Sequence, residues 1–533
     1  MEIRNFELTH RPNLVLYLTG VEPHTMSDSN SLLDILKAGP AGRTAVIIPE
    51  AGIQVTYQSL RDQVMAMADD LATLGIQRGD RVATVLPSGL PAIVTFLAAS
   101  IAGTAAPLNP GYRLDELSFY LEDTSARLLL LPPDGADEAR QAAQGKVPVH
   151  TVQMDDKGYV RILDVSGSPK TAAPPSPDDI ALVLHTSGST GRPKRVPILH
   201  SNLVASAHNI VDTYGLTSQD VALCVMPLFH VHGLVASVLS TFQSGGTVVV
   251  PAKFNPLSFW RIVRDTHSTW YSAVPTIHQL LLSRAGGERP AGSENLRFIR
   301  SCSAALPPDM MASMEKVFGA PVLEAYGMTE AAHQMASNPQ PPRAHKPGSV
   351  GPGTGVKIGI MDATGNLLAS GERGEVVIQG PNVVKGYENN PEANAKSFTN
   401  GWFRTGDQGY LDEEGYLILT GRIKELINRG GEKIAPREID EVLLTHPAVA
   451  EAVAFGFAHP TWGEEVAAAV VLRSPEEESA ILAYCKERLA EFKRPKKVYI
   501  VEKIPRTATG KIQRGAVAAS FAAPVAPSAG EKK

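Results

Sequence analysis

Helix-like and strand-like segments alternate along most of this 533-residue chain, and that alternation restricts the fold more than any other feature. Residues 58–74 place their apolar side chains near one face of a predicted helix, and the apolar run at residues 81–86 predicts a buried strand. Residues 90–102 predict a further helix. Because strands that are separated by helices usually pair in parallel, the pattern predicts the α/β class, with parallel sheets covered by helices.

The same alternation continues after residue 200. A predicted helix that ends at Gly215 is followed by short apolar runs at residues 221–226, 247–250, 296–299 and 322–326. Each run leads into polar or glycine-rich residues. Ligands of open parallel sheets bind beyond the carboxyl ends of the strands, so we expect a site in the loops that follow these runs.

Changes in the pattern divide the chain into a large and a small domain. Short strands and tight turns between residues 348 and 421 predict a small antiparallel or barrel-like subdomain. Beyond it, a helix that begins at Pro436 and strand-like runs at residues 448–455 and 465–472 predict a small α+β domain. The expected organisation is an N-terminal extension at residues 1–25, a large domain at residues 26–421, and a small domain at residues 422–533 that ends in a flexible tail.

Composition and sequence signals limit which classes of binding partner and which cellular compartment are expected. A formal net charge of −5 and a pI near 6.3 provide no basic surface for nucleic acid, and no Lys/Arg cluster favours a membrane surface. We therefore expect small-molecule partners. The three cysteines lie far apart, which argues against disulfides or a zinc site. Without a signal-peptide pattern, an apolar span or a C-terminal Ser-Lys-Leu, the sequence predicts a cytoplasmic protein.

The segment Thr186–Lys194 has the composition of a phosphate-binding loop. It follows the apolar run at residues 180–184, and its glycines allow the backbone to approach a ligand closely. Its hydroxyl groups can bond phosphate oxygens, and Lys194 adds a positive charge. The spacing differs from that of the P-loop NTPases, and no Gly-x-Gly-x-x-Gly fingerprint is present. Alone, the segment is equally compatible with a mobile Ser/Gly surface loop.

Four further segments follow in order, namely Tyr326–Glu330, Gly401–Asp407, Gly421–Lys424 and Pro505–Lys511. With the loop at 186–194 they have the order found in the adenylate-forming acyl-CoA synthetases, and the chain resembles this family over roughly residues 30–520. The resemblance implies a large N-terminal adenylation domain and a small C-terminal lid. It also implies two half-reactions, in which a carboxylate attacks the α-phosphate of ATP and the thiol of coenzyme A then takes the acyl group.

The resemblance also implies a nucleotide site. The residues expected to contact ATP or AMP are Thr186, Ser187, Gly188, Ser189, Thr190, Gly191, Lys194, Ser303, Ala304, Ala305, Glu324, Ala325, Tyr326, Gly327, Met328, Thr329, Asp407, Arg422 and Lys511. Within that set, Asp407 resembles the carboxylate that accepts hydrogen bonds from both ribose hydroxyls. Glu330 and Thr190 are the expected Mg²⁺ ligands, because Mg²⁺ takes one or two carboxylates together with phosphate oxygens and waters. Arg195 departs from the glycine that family members often carry after the loop lysine.

Catalysis is expected to depend on Lys511, together with Thr190, His230 and Glu330. A cation at Lys511 that bridges the substrate carboxylate and the α-phosphate would offset the repulsion between two anions. The same lysine would obstruct the thiol once the adenylate has formed. The resemblance therefore implies rotation of the small domain about Lys424, which brings Gly430 and Gly431 to the coenzyme A channel.

The predicted acid pocket is unusually polar. In the family it is lined near residues 227–233, near residues 300–305 and after Glu330, and for a fatty or aromatic acid these positions should be mostly small or apolar. Here they carry the hydrogen-bonding side chains His230, His232, Ser301, Ser303 and His333. A lone histidine is more often structural, but a cluster of donors suits a second carboxylate.

Four strings, at residues 301–304, 324–333, 345–351 and 422–433, resemble the oxalate:CoA ligases. The resemblance implies synthesis of oxalyl-CoA, with His333 and Ser301 to Ser303 holding the distal carboxylate. Three alternatives stay open from the sequence. They are a coumarate-like or medium-chain acyl-CoA synthetase, a stand-alone adenylating domain that loads a carrier protein, and a non-catalytic nucleotide-binding or scaffold protein.

Overall fold

The computed structural model describes residues 31–186, 193–507 and 512–521. The predicted extension at residues 1–25 and the predicted tail lie outside these ranges, as do residues 187–192 of the phosphate loop and Lys511. The α-helices of the described residues are α1 Leu32–Lys37, α2 Tyr57–Thr73, α3 Leu90–Ala102, α4 Leu114–Thr124, α5 Asp137–Ala143, α6 His200–Tyr214, α7 Ser240–Gln243, α8 Phe259–Asp265, α9 Pro275–Ala285, α10 Pro308–Phe318, α11 Pro391–Ser397, α12 Pro436–Leu444, α13 Glu478–Arg488 and α14 Arg514–Phe521.

The strands fall into four sheets. In chain order they are β1 Thr44–Ile48, β2 Ile53–Thr56, β3 Arg81–Thr84, β4 Thr104–Pro107, β5 Ala126–Leu131, β6 Val149–Met154, β7 Val160–Ile162, β8 Ile180–Thr186, β9 Lys194–Leu199, β10 Val221–Cys224, β11 Thr247–Val249, β12 Trp270–Ala273, β13 Phe298–Ser301, β14 Val322–Met328, β15 His333–Ser337, β16 Lys357–Met361, β17 Gly374–Gln379, β18 Phe398–Thr399, β19 Trp402–Leu411, β20 Leu417–Arg422, β21 Ile427–Arg429, β22 Glu432–Ile434, β23 Val449–His459, β24 Gly463–Leu472 and β25 Lys497–Ile500.

Two large sheets form the first part of the chain. One has the strand order β15-β14-β13-β12-β10-β11-β1-β2 and the other the order β7-β6-β5-β3-β4-β8-β9. The inner strands pair in parallel, as the alternation predicted, and the α/β fold class is confirmed. Each edge is antiparallel, because short connections join β1 to β2, β14 to β15, β6 to β7 and β8 to β9.

Helices cover these sheets through apolar faces. Helix α3 is buried along nearly its whole length, packs against α2 and lies on the seven-stranded sheet. Helix α6 ends at Gly215 in the left-handed conformation, with φ of 51°, as the sequence predicted for its C-terminus. Among the described residues no helix is long and apolar enough to cross a membrane.

The antiparallel subdomain and the small domain follow in the chain. Strands β16 to β20 form a five-stranded antiparallel sheet, in agreement with the prediction for residues 348–421. Strands β21 to β25 form a second five-stranded sheet, against which α12 and α13 pack. The domain boundary at residue 421 stays a prediction.

Strand β13 differs from its predicted position in a way that matters for the site. The apolar run suggested residues 296–299, whereas the strand covers Phe298–Ser301 and so includes Arg300. Arg300 and Ser301 are polar but fully buried. Their polarity alone predicted a loop. Hydrogen-bond partners on β12 and β15, namely Ser272 and Gln334, allow the arginine to stay inside the sheet.

Candidate active site

The carboxyl ends of β12, β13 and β14 meet at one edge of the eight-stranded sheet. The strands are in register there, with Ala273 beside Ser301 and Ser301 beside Glu324. Beyond β14 a short 3₁₀ turn carries Glu330 and leads into β15 at His333. The segments that the sequence predicted for nucleotide binding and for acid binding therefore lie together at the carboxyl ends of these strands.

The backbone at this edge is strained at two of the predicted substrate residues. Ser303 has φ of 73° and His333 has φ of 114°, in the left-handed half of conformational space that residues with a side chain rarely adopt. Such positions cost on the order of 1–3 kcal/mol each and cluster at functional sites. Gly327 permits the arrangement, because a Cβ there would lie 2.1 Å from the His333 carbonyl oxygen.

Glu330 is the centre of a polar group on the nucleotide side. Its carboxylate accepts a hydrogen bond from the Tyr387 hydroxyl at 2.8 Å and a longer one from Thr186 at 3.5 Å. The Lys194 ammonium lies over the Tyr387 ring, 4.4 Å from its centroid. Thr186 thus contacts Glu330 directly, and Tyr387, which no sequence motif indicated, links Lys194 to Glu330. Burial and the neighbouring Glu330 raise the pKa of Tyr387, so its hydroxyl stays protonated and donates.

The environment of Glu330 fits a magnesium ion bound together with phosphate. Glu330 is buried, with 5% of its surface exposed, and the described residues contain no group of three or more His, Cys, Asp or Glu side chains that could hold a metal. Mg²⁺ commonly uses only one or two carboxylates and takes its remaining ligands from phosphate oxygens and waters. The second expected ligand, Thr190, lies outside the described residues.

Asp407 joins two of the other predicted nucleotide residues. One carboxylate oxygen accepts a hydrogen bond from the Tyr326 hydroxyl at 2.5 Å, and the other lies 3.0 Å from Arg422 Nε. Asp407 and Arg422 are directly opposite in the β19–β20 pair. Burial, followed by the Asp407 charge, holds the pKa of Tyr326 well above its usual value, so this hydroxyl also remains a donor.

Glu324 supports the backbone of the segment after β13. Its carboxylate accepts the Leu306 N–H at 3.0 Å, just beyond Ser303, Ala304 and Ala305. Burial raises the pKa of Glu324 to about 7, and the positive charge of Arg437 opposes that rise. Glu324 therefore lies behind the predicted nucleotide segment and holds its shape.

The histidines of the predicted acid pocket form one cluster. The rings of His232 and His333 have their centroids 5.2 Å apart. His232 Nδ1 lies 3.1 Å from the Ser303 hydroxyl, and its Nε2 lies 2.6 Å from the Ser272 hydroxyl. His232 also begins a π-helical segment, His232–Leu239, a rare geometry that often marks functional sites.

Arg300 lies behind this cluster. It belongs to the segment 300–305 that was expected to line the pocket, but it was not among the predicted substrate residues. Its guanidinium donates to Ser272 at 2.9 Å and contacts His333 Nδ1 at 3.4 Å. It also donates to Gln334 at 3.0 Å and to the Tyr214 hydroxyl at 2.8 Å. Arg300 directly follows the apolar run at residues 296–299, and only the structure shows that this charged side chain is fully buried.

Ser301 and His230 lie apart from the contact between His232 and His333. The Ser301 hydroxyl is buried and has no hydrogen-bond partner among the described residues, and strand alternation places it on the face opposite Arg300. His230 Nδ1 accepts the His232 N–H at 3.2 Å, and His230 lines a cleft with Tyr120 and Thr329. The structure therefore groups Ser303, His232 and His333, and it does not bring Ser301 to them.

The small domain presents Gly430 and Gly431 in a hairpin turn. They connect β21 to β22, and both have positive φ, 58° and 97°. Two-residue hairpin turns require this geometry, which explains the glycine pair structurally. A Cβ at Gly430 would also lie 2.8 Å from the Trp462 ring. Lys424 lies in the exposed 3₁₀ turn Ile423–Glu425, just after β20.

Comparison with known proteins identifies the family. The AMP-binding enzyme family matches residues 36–388, and the AMP-binding enzyme C-terminal domain matches residues 438–511. The chain is 48% identical over 480 residues to an oxalate–CoA ligase of Arabidopsis thaliana, covering 88% of this chain and 93% of the relative. An oxalate–CoA ligase of Saccharomyces cerevisiae is 44% identical over 517 residues, covering 90% of this chain and 94% of the relative. The chain belongs to the AMP-binding enzymes, as its motifs predicted.

A solved structure agrees with this assignment. ATP-bound MatB from Rhodopseudomonas palustris superimposes with a TM-score of 0.86 at 31% sequence identity. The similarity covers 93% of this chain and 99% of that protein. The predicted large N-terminal and small C-terminal parts therefore belong to a fold that is known to hold ATP in MatB.

Proposed function

We propose that this protein is an AMP-forming acid:CoA ligase that converts oxalate, ATP and coenzyme A into oxalyl-CoA, AMP and pyrophosphate. The enzyme class agrees with the family and with the curated relatives. The acid is the finer part of the proposal. The observation that carries it is the hydrogen-bonding wall formed by His232, His333 and Ser303 in front of the buried Arg300.

This wall is poorly suited to a hydrocarbon chain. An apolar substrate would cover the partly exposed Ser303 hydroxyl without accepting its hydrogen bond, at a cost of roughly 1–3 kcal/mol if that group is left unsatisfied. The histidines would then have to be purely structural, as a medium-chain or coumarate-like synthetase requires. A second carboxylate can instead accept a hydrogen bond from Ser303.

The charge behind the wall favours the same class of acid. Arg300 is fully buried, with 0% of its surface accessible, and no Asp or Glu among the described residues forms an ion pair with it. Its partners there are neutral groups, namely hydroxyls, an amide oxygen and an imidazole. A buried cation without a counterion raises the local potential, so an anion in front of His333 is stabilised. Oxalate supplies that anion through its distal carboxylate.

On the nucleotide side, the chain's own groups position ATP. Asp407 accepts one hydrogen bond, from Tyr326, and forms an ion pair with Arg422. Because a carboxylate offers about four lone-pair sites, acceptor sites remain for the ribose hydroxyls. Glu330 and Thr190 are the residues that would hold Mg²⁺, and the ion would neutralise phosphate charge when bound. Lys194 adds a further cation at the end of the phosphate loop.

Lys511 supplies the cation that brings the acid carboxylate and the α-phosphate together. After adenylation the small domain, from residue 422 onward, turns about Lys424 so that Gly430 and Gly431 face coenzyme A. These roles come from the family resemblance and are part of the proposal. A cytoplasmic location and the absence of nucleic-acid and membrane partners also stay predictions.

A substrate screen tests the acid. AMP release is measured with ATP, Mg²⁺ and coenzyme A for oxalate, malonate, coumarate and octanoate, and the thioester is identified by mass spectrometry. We expect oxalate to give the highest kcat/KM, and we expect release to stop when magnesium is chelated. Activity on octanoate or coumarate with none on oxalate would contradict the proposal. Adenylation of oxalate without any CoA thioester would favour a carrier-loading enzyme instead.

A further inference from the structure

A chain of hydrogen bonds runs from Arg300 to the surface of the acid pocket. Arg300 Nη1 donates to the Ser272 hydroxyl oxygen at 2.9 Å. That hydroxyl lies 2.6 Å from His232 Nε2, and His232 Nδ1 lies 3.1 Å from the Ser303 hydroxyl. Arg300, Ser272 and His232 are fully buried, whereas Ser303 is partly exposed. The chain therefore begins at a permanent cation and ends where a substrate can reach it.

The arginine determines the direction of this chain. A guanidinium can only donate, so the Ser272 oxygen must accept from it. Among the described residues the Ser272 hydroxyl has no hydrogen-bond partner besides Arg300 and His232, and Arg300 cannot accept, so the single hydroxyl proton goes to His232 Nε2. Nε2 is then an acceptor, and the ring proton of neutral His232 must sit on Nδ1.

The last link follows from the same count of protons. His232 Nδ1–H donates to the Ser303 oxygen, so the hydroxyl proton of Ser303 points away from the histidine. Arg300 acts on His333 in parallel, because Nη2 approaches His333 Nδ1 and can only donate to it. In neutral His333 the proton is then on Nε2. Arg300 thus determines, through Ser272 and His232 and separately through His333, which atoms of these neutral side chains carry a proton to donate.

We infer that Arg300 is a positioning residue for acid specificity, which sets the tautomers of His232 and His333 and thereby makes Ser303 and His333 donate to a carboxylate. This inference rests on the proposed function for the identity of the ligand. The tautomers themselves are properties of the free enzyme and do not depend on which acid binds. No contact between Arg300 and the reacting atoms is required.

Selective ¹⁵N labelling of histidine in the full-length protein tests the tautomers directly. The ring nitrogen shifts of neutral His232 should show a protonated Nδ1 and an unprotonated Nε2, and those of His333 the reverse. A His232→Gln and a His333→Gln variant assign the signals among the 14 histidines of the chain. Protonation of His232 at Nε2 in the wild-type protein would overturn the inference, whatever the substrate.

Kinetics of two variants test the consequence for the acid. Ser272→Ala interrupts the chain and leaves the Arg300 charge in place, and Arg300→Met removes both branches. For Ser272→Ala we expect the KM for oxalate to rise roughly tenfold and the KM for ATP to change by less than about twofold. Arg300→Met should change the KM for oxalate more strongly, and Arg300→Lys should not restore it, since a lysine lacks the forked donors.

Arg297→Lys is the matched control. Arg297 lies just before the same strand but pairs with Asp220 and contacts neither histidine. We expect wild-type kinetic constants for this variant. If Ser272→Ala raised both KM values equally, or neither of them, a structural role would replace the positioning role. If wild-type protein ignored oxalate but showed the expected tautomers, the proposed acid would fail and the assignment of Arg300 would stand.

Discussion

Tyr387 donates a hydrogen bond to the carboxylate of Glu330 at 2.8 Å, so two residues 57 positions apart in the chain form one unit. The same tyrosine ring lies under the Lys194 ammonium. Tyr387 thus contacts the Lys194 cation with its ring and the expected magnesium ligand, Glu330, with its hydroxyl group. Tyr387 therefore fixes the distance between the end of the phosphate loop and Glu330.

Tyr387→Phe removes the hydroxyl and keeps the ring beneath Lys194. We expect kcat/KM for MgATP to fall roughly tenfold, because hydrogen bonds to charged groups contribute about 1.5–3 kcal/mol. The concentration of Mg²⁺ for half-maximal rate should rise as well. Tyr416→Phe is the control, since Tyr416 also lies under a lysine and donates a hydroxyl hydrogen bond, but to Ala344 outside the site. Equal effects of the two substitutions would contradict the role given to Tyr387.

Asp407→Asn tests the ribose site. An amide has one oxygen and no charge, so it cannot accept from Tyr326, pair with Arg422 and also serve both ribose hydroxyls. We expect the KM for ATP to rise by at least tenfold, with the KM for oxalate within about twofold of wild type. Steady-state kinetics with each substrate varied in turn measures both constants. Asp412→Asn, in a turn at the end of β19, is the control. If Asp407→Asn raised the KM for oxalate more than the KM for ATP, the assignment of Asp407 to the ribose would be refuted.

Lys511→Ala separates the two half-reactions. Removal of the cation that brings two anions together should abolish adenylation, measured as exchange of pyrophosphate into ATP. Transfer from a supplied acyl-adenylate to coenzyme A should stay largely intact. Lys503→Ala, at another lysine of the same C-terminal region, provides the comparison. Equal loss of both half-reactions would show that Lys511 does not act specifically in the first.

Stability should respond to pH through Glu324. Burial raises its pKa from 4.5 to about 7 in the folded protein, so between these values the native state binds more protons than the unfolded state. The free energy of unfolding therefore falls as pH rises through this window, by roughly 3 kcal/mol at most for this group. Glu324→Gln keeps an acceptor for the Leu306 N–H without the charge.

The variant should consequently gain stability relative to wild type between pH 5 and pH 8. Thermal unfolding of both proteins across this range measures the difference. Glu315→Gln, a carboxylate at the surface that pairs with His345, is the comparison. A difference in Tm between variant and wild type that does not change with pH would show that the pKa of Glu324 is not raised in the folded protein.

The sequence predicted the parallel sheets and the main site motifs because both depend on local patterns. Apolar runs reveal buried strands, and the segment Tyr326–Glu330 carries its predicted site residues at consecutive positions. Arg300 and Tyr387 could not be predicted in the same way, since their partners lie on other strands or distant loops. The antiparallel sheet edges were missed for a similar reason, because short connections give no periodic signal.

Ser301 illustrates the limit of a motif within the site. The sequence placed Ser301 and Ser303 together as holders of the distal carboxylate. Strand alternation separates Ser301 from Arg300, while the left-handed backbone at residue 303 directs that serine to His232. Ser301 and Ser303 are equivalent in the sequence, so only the backbone conformation of the structure shows which of them contacts the histidines.

A competition assay tests the central claim most directly. Wild-type protein is given equal concentrations of oxalate, malonate, coumarate and octanoate with MgATP and limiting coenzyme A, and all CoA thioesters are quantified together by mass spectrometry. Oxalyl-CoA should be the main product, and His333→Ala should reduce its share. Predominance of any other thioester, with oxalyl-CoA no higher than in the absence of enzyme, would contradict the account.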